Sequence, residues 1–208
     1  TPALDQDGKP MRLVFPKIDH PMAVHPDSIQ ADDCLPWVSG QVIVLDTKTL
    51  RSLGSERVDG IVGMNAFGAC SALFDFSNRR VTLWYPSTLS SEDLKKAGME
   101  GAVQVPVEAP EMYFHTVVDL GNGKKARILL DTGAVQTGIS HAMARELGLT
   151  PTRWVTRNSL MGPVRVAIAK IDKLTIGPFH LEDVTVEFPE KDSLSIPPHL
   201  GQDVLSQF

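Results

Sequence analysis

At one point in this 208-residue chain a carboxylate stands among residues that can put it to chemical use. Asp131-Thr132-Gly133-Ala134 follows directly on the apolar run Ile128-Leu129-Leu130. A strand that ends in an acid, a small hydroxyl residue and a glycine must turn sharply, with backbone passing close to the acid. An aspartate held there can take up and release a proton, the work of a general acid or base. Other chemistries find no footing. The histidines, His20, His25, His115, His141, His180 and His199, fall in no His-Glu-x-x-His pattern and no Cys-x-x-Cys occurs, so no metal centre is expected. Gly-x-Ser-x-Gly and Gly-x-Gly-x-x-Gly are missing as well, and Gly121-Asn122-Gly123 reads as a turn.

The elements that must position Asp131 are legible around it. Met112–Leu120 has strand composition, Gly121-Asn122-Gly123 supplies the positive-φ residues of a tight turn, and the apolar run returns to Asp131, so residues 112–131 form one β-hairpin. Beyond the acid, Ser140 caps a helix through Leu147 that stops at Gly148. A second helix is expected from the Ser90 cap to Ala97, ended by Gly98. Many short Val/Ile/Leu runs, with 15 prolines and 16 glycines, place the rest in an all-β class.

A hairpin with a glycine turn, an apolar strand, Asp-Thr-Gly-Ala and a short helix resembles the retropepsin-like aspartic peptidases. The resemblance implies a retropepsin/pepsin-like acid protease fold of two tandem β-barrel-like lobes. Internal repetition agrees with it. Pro10-Met11-Arg12-Leu13 through Asp19 aligns with Pro163-Val164-Arg165-Val166 through Asp172, and Asp59-Gly60-Ile61-Val62-Gly63 aligns more loosely with Pro198-His199-Leu200-Gly201. Each glycine, preceded by apolar residues, resembles the family's second signature, a stretch that threads beneath the catalytic loop. The expected organisation is a first lobe over 1–86, a linker with a short helix over 87–110 and a second lobe over 111–208. Both alignments put the counterpart of Asp131 before residue 1, so the first lobe is expected to be incomplete and the chain to be an excerpt of a longer protein. Asp46-Thr47 is no substitute, because Lys48 stands where the glycine should be.

The family's chemistry, as the resemblance implies, needs two aspartates sharing one proton, one activating a water and the other protonating the carbonyl under attack. Two carboxylates a few ångströms apart cannot both ionise, so they titrate as a unit. Asp131 therefore needs a partner, from a complementing upstream segment or from a second chain in a homodimer. Thr132 is expected to bury its hydroxyl in a hydrogen bond, Gly133 to bring its N–H to the carboxylate, and Ala134 to offer the outer carboxylate oxygen no hydroxyl, favouring work in milder acid. Thr156–Pro163, a turn-rich stretch, is the candidate for the substrate-covering flap, through Asn158, Ser159, Leu160, Met161 and Gly162.

A net charge of −5 and a pI near 5.6 give no basic footprint for nucleic acid or an anionic membrane, and no run of 18 apolar residues exists. Cys34 and Cys70 fall in the first lobe, where they are either a disulfide or two buried thiols; an extracytoplasmic, periplasmic or secreted, location goes with the disulfide. No cofactor is implied. Two readings follow: an aspartic endopeptidase acting on a protein or peptide substrate, or a catalytically inactive peptide-binding or regulatory relative.

Overall fold

The computed structural model describes residues 22–24, 42–44, 63, 71–84, 90–109, 113–159, 162–191 and 197–208. Compact packing divides the chain into two units, Thr1–Glu100 and Gly101–Phe208. The described residues are mostly strand with three short helices, and the strands form three sheets, one of six strands and two of two, none closed into a barrel. Cys34 and Cys70, the first copy of the Pro-x-Arg repeat and Asp46-Thr47 lie outside the described residues, as do residues 59–62.

In the first unit β1 (Met22–Val24) pairs antiparallel with β2 (Val42–Val44), and β3 (Ser71–Asp75) with β4 (Arg80–Trp84). The Asp75 carboxylate closes the β3–β4 turn by accepting from the Asn78 backbone at 2.9 Å and side chain at 2.8 Å. Helix α1 (Ser91–Lys96) starts at the expected serine in a reciprocal capping box with Asp93. The Ser90 side-chain and backbone bonds hold the Asp93 carboxyl below its ordinary value. The cap is thus fully present above the ordinary carboxylate range and lost only as pH falls through the depressed value.

The second unit is built on one sheet. The expected hairpin is there as β5 (His115–Asp119) and β6 (Lys125–Leu130), paired from His115↔Leu129 to Asp119↔Lys125. Its turn uses left-handed backbone at Gly121, Asn122 and Gly123 (φ 99°, 54° and 72°), which is why those residue types occur there. Helix α2 (His141–Glu146) is capped by Ser140, whose hydroxyl accepts from the Met143 N–H at 3.1 Å, and it gives way at Gly148 with φ 67°. The strands β7 (Arg153–Ser159), β8 (Gly162–Ile176) and β9 (Phe179–Pro189) follow as successive antiparallel neighbours, and β8 also pairs with β5 at Val118↔Ile176. Last come β10 (His199–Leu200) and helix α3 (Gln202–Leu205). Four residues give α3 no periodicity to read, and its start at Gly201 lacks a side-chain cap, so composition alone does not reveal it.

The β8 burial pattern switches sides along its length. Ala169 and Ile171 are buried, Asp172 and Lys173 are both exposed, and burial resumes at Leu174 and Ile176. Opposite this break Asp183 adopts φ 54°, while the β8–β9 register runs through unchanged. Val118, Ile128, Leu174, Val186, Leu200 and Val204, each at most 1% exposed, form the heart of the core. Leu174→Ala is expected to destabilise the second unit by about 2–5 kcal/mol, the usual cost of a buried leucine cavity, read as a loss of protection in amide exchange across β8 and β9.

Candidate active site

Asp131 stands one residue past the end of β6, where the strand leaves the sheet. Its half-buried carboxylate accepts a hydrogen bond from the Gly133 N–H at 2.9 Å, and its carbonyl accepts from the Ala134 N–H at 3.2 Å. A side chain at Gly133 would put its Cβ 3.2 Å from Asp131 Oδ1, so glycine keeps that approach open. The motif residues Asp131, Thr132, Gly133 and Ala134 are thus one compact turn around the acid.

A second stretch of chain runs beneath it. β10 lies parallel to β6, with His199 opposite Leu129 and Leu200 opposite Leu130. The Leu129 N–H donates to Pro198 O and the Asp131 N–H to Leu200 O, each at 3.0 Å. The backbone of Asp131 is therefore fixed by the segment that sequence reading singled out by its apolar-Gly signature. At Gly201 that segment meets the loop so closely that a Cβ would lie 2.6 Å from Gln136 C and 2.7 Å from Gln136 O. Gly138, one turn on, exchanges two backbone hydrogen bonds with His199 at 2.8 and 2.9 Å.

Around this crossing runs a polar network that the motif search does not single out. Thr137, 1% exposed, donates its hydroxyl to Asp203 Oδ1 at 2.8 Å and accepts the Gly201 N–H at 3.1 Å. Gln136 Nε2 donates to Asp203 Oδ2 and, at 2.9 Å, to Thr185 O. The Gln202 side chain donates to Thr132 O at 2.7 Å, while the backbone N–H groups of Gln202 and Asp203 donate to Ala134 O and Val135 O at 2.8 and 3.2 Å. The fully buried hydroxyl of the loop belongs to Thr137, and Thr132 is half-buried. A signal for Thr137, Gln202 and Asp203 did exist: they flank the two features already recognised, Asp-Thr-Gly and Gly201.

Of the flap candidates, Leu160 and Met161 lie outside the described residues. Thr156–Ser159, read as turn, is strand: Asn158 pairs with Pro163 and Ser159 with Gly162, so the β7–β8 hairpin is tighter than the turn-rich composition suggests. The hairpin is tied toward the loop by an ion pair. Arg157 Nε donates to Glu187 Oε1 at 2.7 Å, and the Glu187 backbone bonds Thr137 O and the Ile139 N–H, each at 2.9 Å. The hydrogen bond to Glu187 raises the Arg157 pKa, against the opposing effect of partial burial, so the cation persists at every working pH.

A cavity of about 420 Å³ lies elsewhere, lined among others by Val105, Pro106, His115, Thr116 and Arg127, and none of Asp131–Ala134 borders it. Among the described residues no cluster of His, Cys, Asp or Glu is arranged to hold a metal ion, and no helix is long and apolar enough to cross a membrane.

Gly201→Ala forces a methyl group into backbone rather than into a yielding side chain. It is expected to cost at least about 1–3 kcal/mol, seen as a lowered thermal midpoint of the second unit. Arg157→Met is expected to change stability by under about 1 kcal/mol, because the guanidinium is half exposed, while speeding amide exchange along β7; the difference from the parent should shrink at high salt.

Residues 116–204 match the family model described as aspartyl protease, a span that runs from β5 through the Asp203 network. A retropepsin-like aspartic protease from Rickettsia conorii aligns at 22% identity over 51% of this chain and 89% of its own, with a TM-score of 0.41. No curated protein matches. Residues 116–204, under half of the chain, are thus similar to aspartyl proteases.

Proposed function

We propose that the protein is an aspartic endopeptidase in which Asp131 supplies one carboxylate of a two-aspartate site. The observation that carries this reading is the fixed position of Asp131: its N–H is held by Leu200 O, its carboxylate by the Gly133 N–H, and the loop behind it by the parallel segment ending in Gly201. A general acid or base must be held in place before the substrate arrives, and a carboxylate on a backbone-clamped turn meets that need.

The second carboxylate comes from outside the described residues, either from a complementing segment of the first lobe or from Asp131 of a second copy. With the two side by side, one is ionised and accepts a proton from the attacking water, while the other is protonated and donates to the carbonyl oxygen. The tip of the β7–β8 hairpin, with Asn158, Ser159, Leu160, Met161 and Gly162, acts as the cover over an extended protein or peptide substrate. An extended substrate suits such a cleft because its own backbone offers strand-like hydrogen bonds.

The test is cleavage of a peptide library between about pH 4 and 7, with an inhibitor of aspartic peptidases as control. Asp131→Asn keeps the size of the side chain and removes its ability to exchange a proton, so cleavage should fall by at least about 10²-fold. Equal cleavage by parent and variant would refute the assignment of Asp131.

A further inference from the structure

We propose that Asp203 is a positioning residue for Asp131, acting through Gln136 and Thr137; this rests on the aspartic peptidase reading above. Within the Asp131 turn the Gly133 and Ala134 N–H groups bond back to Asp131. Between Asp131 and the strand-like pairing of Gly138 with His199 lie six residues, and most of the hydrogen bonds that tie them to other parts of the chain run to Gly201–Asp203, the rest reaching Thr185, Glu187 and His199. The backbone restraints, from the Gln202 and Asp203 N–H groups to Ala134 O and Val135 O, survive any change of side chain. Two of the side-chain restraints converge on one group, the Asp203 carboxylate, whose two oxygens receive two different donors of the loop.

An ionised carboxylate accepts hydrogen bonds and donates none, so the direction of each bond is fixed. The Thr137 hydroxyl must point its proton at Oδ1, which leaves its lone pairs facing the Gly201 N–H. Gln136 must turn its amide nitrogen, not its oxygen, toward Oδ2, and that same nitrogen then reaches Thr185 O on β9. Asp203 thereby sets the orientation of two consecutive loop residues and links the loop to both α3 and β9. Asparagine at 203 would keep one acceptor and place an amide donor against the other. Alanine would remove both and leave the buried Thr137 hydroxyl without its acceptor.

The chain carrying Asp203→Asn or Asp203→Ala, with Asp131→Asn and the parent as references, is assayed for kcat and KM per site, sites being counted by titration with a tight aspartic-peptidase inhibitor. Positioning predicts that kcat per titrated site falls about 10- to 100-fold in Asp203→Ala and less in Asp203→Asn, with KM within about threefold, because small misplacements of a reacting group cost on that scale. Amide exchange of Gly133 should quicken in the same order. Fewer titratable sites with unchanged kcat per site and unchanged Gly133 exchange would make Asp203 merely structural and overturn the proposal. If parent and Asp131→Asn cleave alike, the peptidase reading has failed and takes the expected kinetic effect of Asp203 with it; unaltered Gly133 exchange in Asp203→Ala would independently refute the positioning itself.

Discussion

Two stretches of this chain pass each other too closely for any side chain to fit between them at one point, and the second unit is arranged around that contact. Gly201 lies where even a methyl group would strike the Gln136 carbonyl. Only because that position is bare backbone can β10 run parallel to β6, and only because it does so can Leu200 O receive the Asp131 N–H. The parallel pair is just two residues long, too short to persist on its own pairing. It is sustained by what flanks it: Leu200 and Val204 buried in the core, Gly138 bonded to His199, and the Thr137 hydroxyl set between Gly201 and Asp203.

The same contact explains why a polar cluster is tolerated in so buried a place. Thr137 is 1% exposed, and a hydroxyl there without partners would be strongly unfavourable. Both its donor and its acceptor roles are filled, and among the described residues no buried side-chain polar atom lacks a partner. A satisfied network of this kind admits one arrangement of its members, whereas an apolar filling of the same volume would admit several. A loop that must present a carboxylate in one position gains from that restriction.

Much of this could be read from the residues, and what could not has physical reasons. Gly121-Asn122-Gly123 and the Ser140 and Ser90 caps announce themselves because left-handed backbone and unpaired helix N–H groups each admit few residue types. Asp131-Thr132-Gly133 was visible for a related reason: a tight turn beside an acid restricts the residues that follow. The roles of Thr137 and Asp203 were hidden because they depend on partners 66 residues apart, a separation on which local pattern is silent. Thr156–Ser159 read as turn because Thr, Asn and Ser are turn formers in isolation, and pairing with β8 overrode that preference. The burial pattern of β8 was equally unreadable, since which of its faces is covered changes along its length with the elements packed against it.

The β7–β8 hairpin outreaches its support. β9 meets β8 no farther along than Val166↔Pro189, so Gly162–Arg165 have only β7 beside them among the described strands. That leaves a two-stranded arm of about 13 Å cantilevered from a three-stranded root. Such a ribbon twists far more readily than a full sheet. Its bending stiffness is therefore set by the brace from Arg157, opposite Val164 on the arm, to Glu187 on β9 at the root. Loosening that brace would lower the frequency and raise the amplitude of the whole arm without altering one residue at its tip.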